Sequence, residues 1–170
     1  MVKKNLILLG MMAVGKTTLG KIVAKSQNLT FIDTDVVIER KNLMTISEIF
    51  KKKGEKFFRM EEEKQILKLL KKDSNIIALG GGAFMNKMLR DNILKNAVSI
   101  WLDVPIEILN SRIKKNLKRP LLDKKNNQSK LEKLYKERKN IYKLANYKID
   151  CEKLNKEDIA KKIITFYEKY

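Results

Sequence analysis

The segment 10–18, GMMAVGKTT, has the spacing of residues that bind phosphate groups. It lies between an apolar run at 6–9 and a helical pattern that begins at Lys16. In a Gly-x4-Gly-Lys-Thr loop of this kind, called a P-loop, backbone N–H groups and the helix N-terminus bind the β-phosphate of a nucleotide. Lys16 then reaches the β and γ oxygens, and the Thr17 hydroxyl ligates Mg²⁺. The segment therefore predicts a site for a nucleoside triphosphate with magnesium, and a plain glycine turn is the alternative.

Two acidic residues, Asp33 and Asp35, follow a short strand predicted at 30–32. Residues two apart in an extended chain project to the same side, so both carboxylates would flank a ligand at this end of the strand. One can hold Mg²⁺ through water, and the other can orient or deprotonate a hydroxyl group. Alternatively, either acid caps the helix that follows.

Five of the seven glycines occur in two places, the P-loop and the run Gly80, Gly81 and Gly82. The run follows a buried strand predicted at 76–79, and ligands of parallel α/β proteins bind at the carboxyl ends of the strands. Residues without side chains let a ligand come close to the backbone. We interpret the run as part of the binding site, with a loose connection as the alternative.

The composition indicates one domain, residues 1–170, with a highly charged surface. A chain of this length with 44% hydrophobic and 34% charged residues can bury a proper core. The net charge of +18 would suit a nucleic-acid or membrane partner, but the lysines are scattered through nearly every segment, so we expect a solvated surface and neither partner. Only six of the 38 basic residues are arginines, which indicates either a need for planar bidentate forks or random surface positions.

The cysteine and histidine content limits which catalytic chemistry and which cellular compartment we expect. Cys151 is the only cysteine and histidine is absent, which excludes an internal disulfide and argues against zinc sites and histidine-based catalysis. The apolar N-terminus could pass for a secretory signal, but Gly15 and Lys16 interrupt it. No later run reaches the ~18–20 apolar residues that a membrane span needs. We expect a buried first strand in a cytoplasmic, monomeric protein.

Apolar runs of strand length alternate with segments of helical period. Strands are expected at 6–9, 30–32, 76–79, 98–102 and 147–149, and helices at 16–26, 46–53, 57–72, 105–116, 129–144 and 156–170. Strands that are apolar on both faces and separated by helices predict an α/β fold with a parallel sheet covered on both sides. The basic segment 114–128 is expected to be a mobile lid over a phosphate ligand, or alternatively a surface loop.

Six motifs follow one another along the chain: the P-loop, D-x-D at 33–35, F-R-x-x-E at 58–62, GGG at 80–82, R-P-L-L at 119–122 and R-x-x-x-Y at 138–142. In this order, at these separations and in a chain of this length, they resemble the shikimate kinase family over nearly the whole sequence. The resemblance implies a P-loop NTPase fold like that of nucleoside-monophosphate kinases, with a five-stranded parallel sheet of order 2-3-1-4-5. It also implies a substrate-binding region at 34–62, a lid at 114–128, and transfer of the ATP γ-phosphate to the 3-hydroxyl of shikimate.

The resemblance further implies a role for each motif residue. ATP would contact Ala13, Val14, Gly15, Lys16, Thr17, Thr18, Arg112, Arg119 and Asn155, with Arg112 and Asn155 near its adenine ring. Shikimate would contact Asp35, Arg59, Gly80, Gly81, Gly82 and Arg138, and Mg²⁺ would be held by Thr17 and, through water, by Asp33. Catalysis would depend on Lys16, Asp35 and Arg119. These residue types suit the substrate, because a ring with one carboxylate and three hydroxyls needs a cationic fork at one end and an acceptor at the other.

One residue departs from the family pattern, since Ala13 stands where the family commonly has a third glycine. If this position requires a positive φ, alanine is strained by about 1 kcal/mol and nucleotide affinity suffers. Two other functions stay open at this point. One is another small P-loop kinase, acting on gluconate or a nucleoside monophosphate, and the other is an RNA-binding protein that uses nucleotide only as a switch.

Overall fold

The computed structural model describes residues 4–115 and 127–170 of the chain. The strands are Asn5–Leu9 (β1), Thr30–Asp33 (β2), Asn75–Ala78 (β3), Ala97–Asp103 (β4) and Tyr147–Asp150 (β5). The helices are Lys16–Gln27 (α1), Thr34–Asn42 (α2), Ile46–Leu70 (α3), Lys87–Asn96 (α4), Ile106–Lys115 (α5), Asn127–Tyr142 (α6) and Lys156–Glu168 (α7), with a 3₁₀ turn at Ala83–Met85.

The five strands form one sheet of order β2-β3-β1-β4-β5, and every neighbouring pair is parallel. This confirms the predicted fold class and strand order. The central strand β1, NLILL, is buried along its whole length, as expected for a strand covered on both faces. Helix α1 packs against α7, and α3 packs against α4. Right-handed connections between parallel strands put these two pairs on opposite faces of the sheet.

The carboxyl ends of three strands bring the predicted site residues to one edge of the sheet. The P-loop follows β1, Asp33 ends β2, and the glycine run begins two residues after β3. Ala78 of β3 is level with both Leu8 of β1 and Asp33 of β2. This register explains why segments far apart in the sequence meet at one place.

The predicted elements need two corrections. Helices α2 and α4 were not expected: α2 buries only two residues and leaves little hydrophobic periodicity, whereas in α4 the buried Leu89 and Ile93 have helical spacing, a signal that could have revealed this helix. The two helices predicted at 46–53 and 57–72 are confirmed as two helical segments within α3, separated at Gly54 by a non-helical φ of 82° and ψ of 167°. The expectation that Asp33 and Asp35 share an extended stretch was wrong, because β2 ends at Asp33 and Asp35 lies in the first turn of α2.

A small apolar cluster of Ile38, Ile49 and Phe58 joins α2 to α3 apart from the main core. The predicted substrate-binding region, 34–62, thus has packing of its own. In residues 4–115 and 127–170, no helix has both the length and the apolar character that crossing a bilayer requires.

Candidate active site

The P-loop wraps the end of a cavity of about 750 Å³. Gly10 has a φ of 145°, and a methyl group there would lie 2.6 Å from the Leu102 carbonyl oxygen, so the turn out of β1 requires glycine. The Lys16 ammonium donates hydrogen bonds of 2.9 Å to the carbonyls of Gly10 and Met11. It therefore crosses the loop at the start of α1. The lining of the cavity includes Ala13, Val14, Gly15, Lys16, Thr17 and Thr18.

Ala13 adopts the left-handed conformation, with a φ of 62°. Strain was expected here only if this position had a positive φ, and it does. Alanine therefore occupies a position that favours glycine. The strain amounts to about 1–2 kcal/mol for an L-residue. The loop thus stores strain at the point where it turns around the cavity.

Arg112 and Asn155 line the same cavity. Arg112 donates from Nη1 to the carbonyl oxygens of Ala13 at 3.2 Å and of Val14 at 3.4 Å. Asn155 caps α7, and its Oδ1 accepts a hydrogen bond of 2.8 Å from the Asp158 N–H. Both residues thus line the cavity that the P-loop lines, and their contact with the nucleotide stays a prediction.

Asp33 links the P-loop to the substrate-binding region. Its Oδ2 accepts a hydrogen bond of 2.8 Å from the Thr17 hydroxyl, and its Oδ1 accepts one of 3.1 Å from the Asp35 N–H. The interpretation of Asp33 as a helix cap is therefore confirmed, while its other oxygen meets Thr17 and its role toward Mg²⁺ stays a prediction. A hydroxyl and a carboxylate side by side on the cavity wall fit the oxygen ligands that Mg²⁺ prefers.

Charged side chains lie against all three glycines of the run 80–82. A methyl group on Gly80 would lie 2.8 Å from Oδ1 of Asp35, and on Gly81 it would lie 2.8 Å from Nη1 of Arg138. On Gly82 it would lie 2.6 Å from Nη1 of Arg59. At these distances the charged side chains would have to move away to make room for a methyl group. The run is therefore packed closely against the predicted site residues, and the alternative of a loose connection is wrong.

Arg59 is held by two acids of its own helix. Its Nη1 donates to Oε2 of Glu62 at 2.8 Å, and its Nε and Nη2 each lie 3.3 Å from Oε1 of Glu55. The Glu62 side chain is 2% exposed, whereas that of Glu55 is 65% exposed. The buried partner thus fixes the guanidinium, and the exposed one contacts it loosely. Arg59 and Gly82 line a second cavity of about 420 Å³, whereas Gly80 and Gly81 line the first.

Glu62 lies in the middle of the charged groups. Burial raises the pKa of its carboxyl and the nearby Asp35 raises it further, whereas Arg59 and Arg138 lower it. Its Oε1 is buried and has no hydrogen-bond partner among the described residues, and a methyl group on Gly80 would lie 2.7 Å from it. Glu62 therefore couples the acceptor end of the site, Asp35, to the cationic end.

Tyr142 attaches α6 to the glycine run. It is 1% exposed, and its hydroxyl donates a hydrogen bond to the Gly81 carbonyl. Burial raises the pKa of this hydroxyl, while the adjacent Arg138 guanidinium lowers it. Residues four apart lie on the same side of a helix, so the R-x-x-x-Y spacing places Arg138 and Tyr142 against Gly81 together.

Comparison with known proteins identifies the family. The shikimate kinase family model matches residues 12–168. The shikimate kinase of Bartonella henselae is 41% identical over 98% of this chain and 80% of its own length, and that of a Sulfurihydrogenibium species is 40% identical over 95% and 96%. The shikimate kinase of Acinetobacter baumannii, solved in complex with shikimate, superposes with a TM-score of 0.91 at 33% identity over 98% of this chain and 94% of its own.

The chain belongs to the shikimate kinase family. The predicted family, enzyme class and activity on shikimate are thereby confirmed. These findings favour this function over the two alternatives, another small P-loop kinase and an RNA-binding protein. The structure brings Asp33, Asp35, Arg59 and Arg138 together at the two glycine-rich segments, as expected. Arg119 and most of the lid predicted at 114–128 lie outside the described residues.

Three residues of the site were not singled out from the sequence: Glu55, Glu62 and Tyr142. The last two were visible as members of the quoted motifs F-R-x-x-E and R-x-x-x-Y. Helical spacings of three and four residues are the signal that could have assigned them to the neighbouring arginines. Glu55 lies four residues before Arg59, so the same rule would have found it.

Proposed function

We propose that this chain phosphorylates the 3-hydroxyl of shikimate with ATP at the junction of the P-loop and the glycine run 80–82. The observation that carries the proposal is the set of charged side chains around the run: Asp35 and Glu62 face Gly80, Arg138 faces Gly81 and Arg59 faces Gly82. An acceptor and two guanidinium groups around a strip of bare backbone suit a small hydroxylated carboxylate. The cavity bounded by the P-loop supplies the adjoining space for the nucleotide.

The residues have distinct roles in this proposal. Arg59 and Arg138 bind the substrate carboxylate, and Asp35 accepts a hydrogen bond from the reacting hydroxyl and orients it or takes its proton. Lys16 neutralises charge on the transferred phosphoryl group. Phosphoryl transfer depends mainly on positioning and charge neutralisation, so it needs little help from Asp35 as a base.

Thr17 and Asp33 would hold Mg²⁺, Asp33 through water. When bound, the ion would offset the negative charge of the ATP phosphates. The Thr17 hydroxyl and the Asp33 carboxylate already lie within hydrogen-bond distance, so the oxygen donors are in place.

The test of substrate identity is an ADP-release assay with Mg-ATP against shikimate, gluconate and nucleoside monophosphates. Shikimate is expected to be the preferred acceptor. Comparable turnover with a nucleoside monophosphate, or none with shikimate, would contradict the proposal. Lys16→Ala is the matching control for the P-loop, and we expect its turnover to fall about 10²-fold or more.

We further propose that the chain acts as a cytoplasmic monomer of one domain, with shikimate and ATP as its partners and no nucleic acid or membrane. Its charge is spread over the chain, and diffuse charge binds polyanions only weakly at physiological salt. Light scattering coupled to size-exclusion chromatography should give a mass near 19.9 kDa. A salt titration of RNA binding should show no useful affinity at physiological salt.

A further inference from the structure

We propose that Arg112 is a positioning residue that holds the P-loop in its phosphate-binding conformation. The inference goes beyond a contact with the adenine ring and rests on the proposed role of the loop as the phosphate site. Its basis is the pair of hydrogen bonds from Arg112 Nη1 to the carbonyl oxygens of Ala13 and Val14. These connect residues 98 and 99 positions apart, so the contact is tertiary.

The stereochemistry of the peptide bond gives these hydrogen bonds their effect. In a trans peptide the carbonyl of one residue and the N–H of the next point in opposite directions. The described residues contain no cis peptide bond. When Arg112 draws the carbonyls of Ala13 and Val14 toward itself, the N–H groups of Val14 and Gly15 point to the other side. Successive N–H groups directed to one side of a turn form an anion-binding concavity.

Ala13 makes this support necessary. Its φ of 62° is unfavourable for alanine, so the isolated loop favours other conformations in which these N–H groups are not aligned. The apparent affinity of a ligand falls in proportion to the fraction of molecules in the competent conformation. A guanidinium that bonds only to the competent arrangement raises that fraction before any nucleotide arrives.

The position of Arg112 fits this role. The side chain is exposed on α5, apart from the hydrophobic core, so its replacement leaves the packing of the fold in place. It nevertheless lines the same cavity as the loop. A lysine keeps the charge but lacks the planar donors of the guanidinium.

The experiment distinguishes two roles of Arg112, support of the P-loop and contact with the adenine ring, because one of its ligands has no base. Tripolyphosphate and ADP are each titrated as competitors of fluorescent mant-ADP, so that polyanion binding elsewhere on the lysine-rich surface does not contribute. Arg112→Lys is compared with wild type and with Arg40→Lys, an exposed arginine on α2. We expect Arg112→Lys to weaken tripolyphosphate and ADP by a similar factor of about 5- to 20-fold, and Arg40→Lys to weaken neither.

Two further readouts test the mechanism. In ¹⁵N NMR spectra without ligand, the amide signals of Val14 and Gly15 should shift or broaden in Arg112→Lys and stay in place in Arg40→Lys. In the Ala13→Gly background the loop no longer carries the strain, so the same replacement should weaken tripolyphosphate by less than about 3-fold.

The contrary outcomes are distinct. An unchanged tripolyphosphate affinity in Arg112→Lys, with ADP weakened or not, would overturn the inference and leave Arg112 at most a contact of the base. An equal loss in the wild-type and Ala13→Gly backgrounds would remove the coupling to the strained turn and overturn it as well. If wild type bound neither ligand, the proposed phosphate site itself would fail.

Discussion

At the scale of single residues, the site is a set of opposite charges held apart by glycine backbone. Asp35 and Arg138 each face one glycine of the run 80–82, and Glu62 lies between the acidic and the cationic end. A substrate with a hydroxyl near one end and a carboxylate at the other matches this order of charges. Three predictions test the individual groups.

The first prediction concerns Asp35→Asn, which keeps the shape and one acceptor oxygen but removes the charge. If the carboxylate orients or deprotonates the substrate hydroxyl, kcat should fall about 10²-fold or more while the ATP KM changes little. Asp91→Asn, at an exposed carboxylate on α4, is the control. A change in the shikimate KM alone would assign Asp35 to binding and not to catalysis.

The second prediction concerns Arg138→Lys, which keeps the positive charge but loses the planar pair of donors. One hydrogen bond to a charged group contributes ~1.5–3 kcal/mol, so the shikimate KM should rise roughly 10- to 150-fold. The ATP KM should stay within a few-fold, because Arg138 faces Gly81 on the substrate side. Arg40→Lys serves as control. A normal shikimate KM would exclude Arg138 from the site, and equal losses for both substrates would indicate a structural fault in α6.

The third prediction uses the raised pKa of the buried Glu62 carboxyl. The folded state holds this proton more tightly than the unfolded state, where the pKa is near 4.5. The stabilisation from Glu62 is therefore present at low pH and is lost as the pH rises through the folded-state pKa. The free energy of unfolding of wild type should fall relative to Glu62→Gln as the pH rises above 4.5, measured by urea denaturation at a series of pH values.

Glu168→Gln, at an exposed position of α7, is the control for this series. A difference between wild type and Glu62→Gln that is constant with pH would contradict the prediction. A difference that grows in favour of wild type would reverse the sign and show that the pairing with Arg59 outweighs the burial of the charge.

At the scale of elements, the kink in α3 divides two helical segments that share one small apolar cluster. Ile49 before Gly54 and Phe58 after it both pack with Ile38 of α2. The segment after Gly54 also carries Arg59 and Glu62 toward the glycine run. The kink therefore sets the direction in which the cationic end of the site is presented.

The fourth prediction concerns Gly54→Ala. No atom lies within 4 Å of a methyl group at this position, so the change adds no clash. The backbone, with φ 82° and ψ 167°, is nearly exclusive to glycine, and alanine there should destabilise the protein by about 1–3 kcal/mol. Thermal unfolding of Gly54→Ala and of the control Lys51→Ala measures the effect. A melting temperature equal to that of the control would mean that the kink rearranges without strain.

At the scale of the whole molecule, the two edges of the sheet have different tasks. The cavity and the charged site lie at the carboxyl ends of the strands. At the opposite edge, where the strands begin, the completely buried Asn5 connects neighbouring elements. The Asn5 side chain donates to the carbonyls of Lys72 and Leu69, and accepts from the backbone and side-chain N–H groups of Asn75. It thus connects β1, the end of α3 and β3 at the edge away from the site.

The fifth prediction concerns Asn5→Ala, which leaves buried donors and acceptors without partners. The loss should amount to about 2–4 kcal/mol of unfolding free energy. At 25 °C, where the variant stays folded, the KM values for shikimate and ATP should remain within twofold of wild type, because the change is at the opposite edge. Urea denaturation and steady-state kinetics on the same preparation give both numbers. A large change in either KM would show that the two edges are coupled.

The sequence by itself determined the features that depend on short-range spacing. The alternation of apolar and helical segments predicted the parallel sheet, and the ordered set of six motifs, from the Gly-x4-Gly-Lys-Thr loop to R-x-x-x-Y, carried the resemblance to the family that implied the strand order. Such patterns are readable because backbone geometry and hydrophobic periodicity act over a few residues. Helix α2 was missed for the same reason, since it buries too few residues to leave a hydrophobic period, whereas the helical spacing of Leu89 and Ile93 would have revealed α4.

Only the tertiary structure decided which groups face one another. It placed Asp35 on a helix instead of a strand, gave Ala13 its positive φ, buried Glu62 between Asp35 and the arginines, and brought Arg112 onto the P-loop. These features depend on contacts between segments tens of residues apart. Close packing and strand register at the carboxyl ends of the strands determine those contacts, and they cannot be read from the secondary-structure propensity of a short segment.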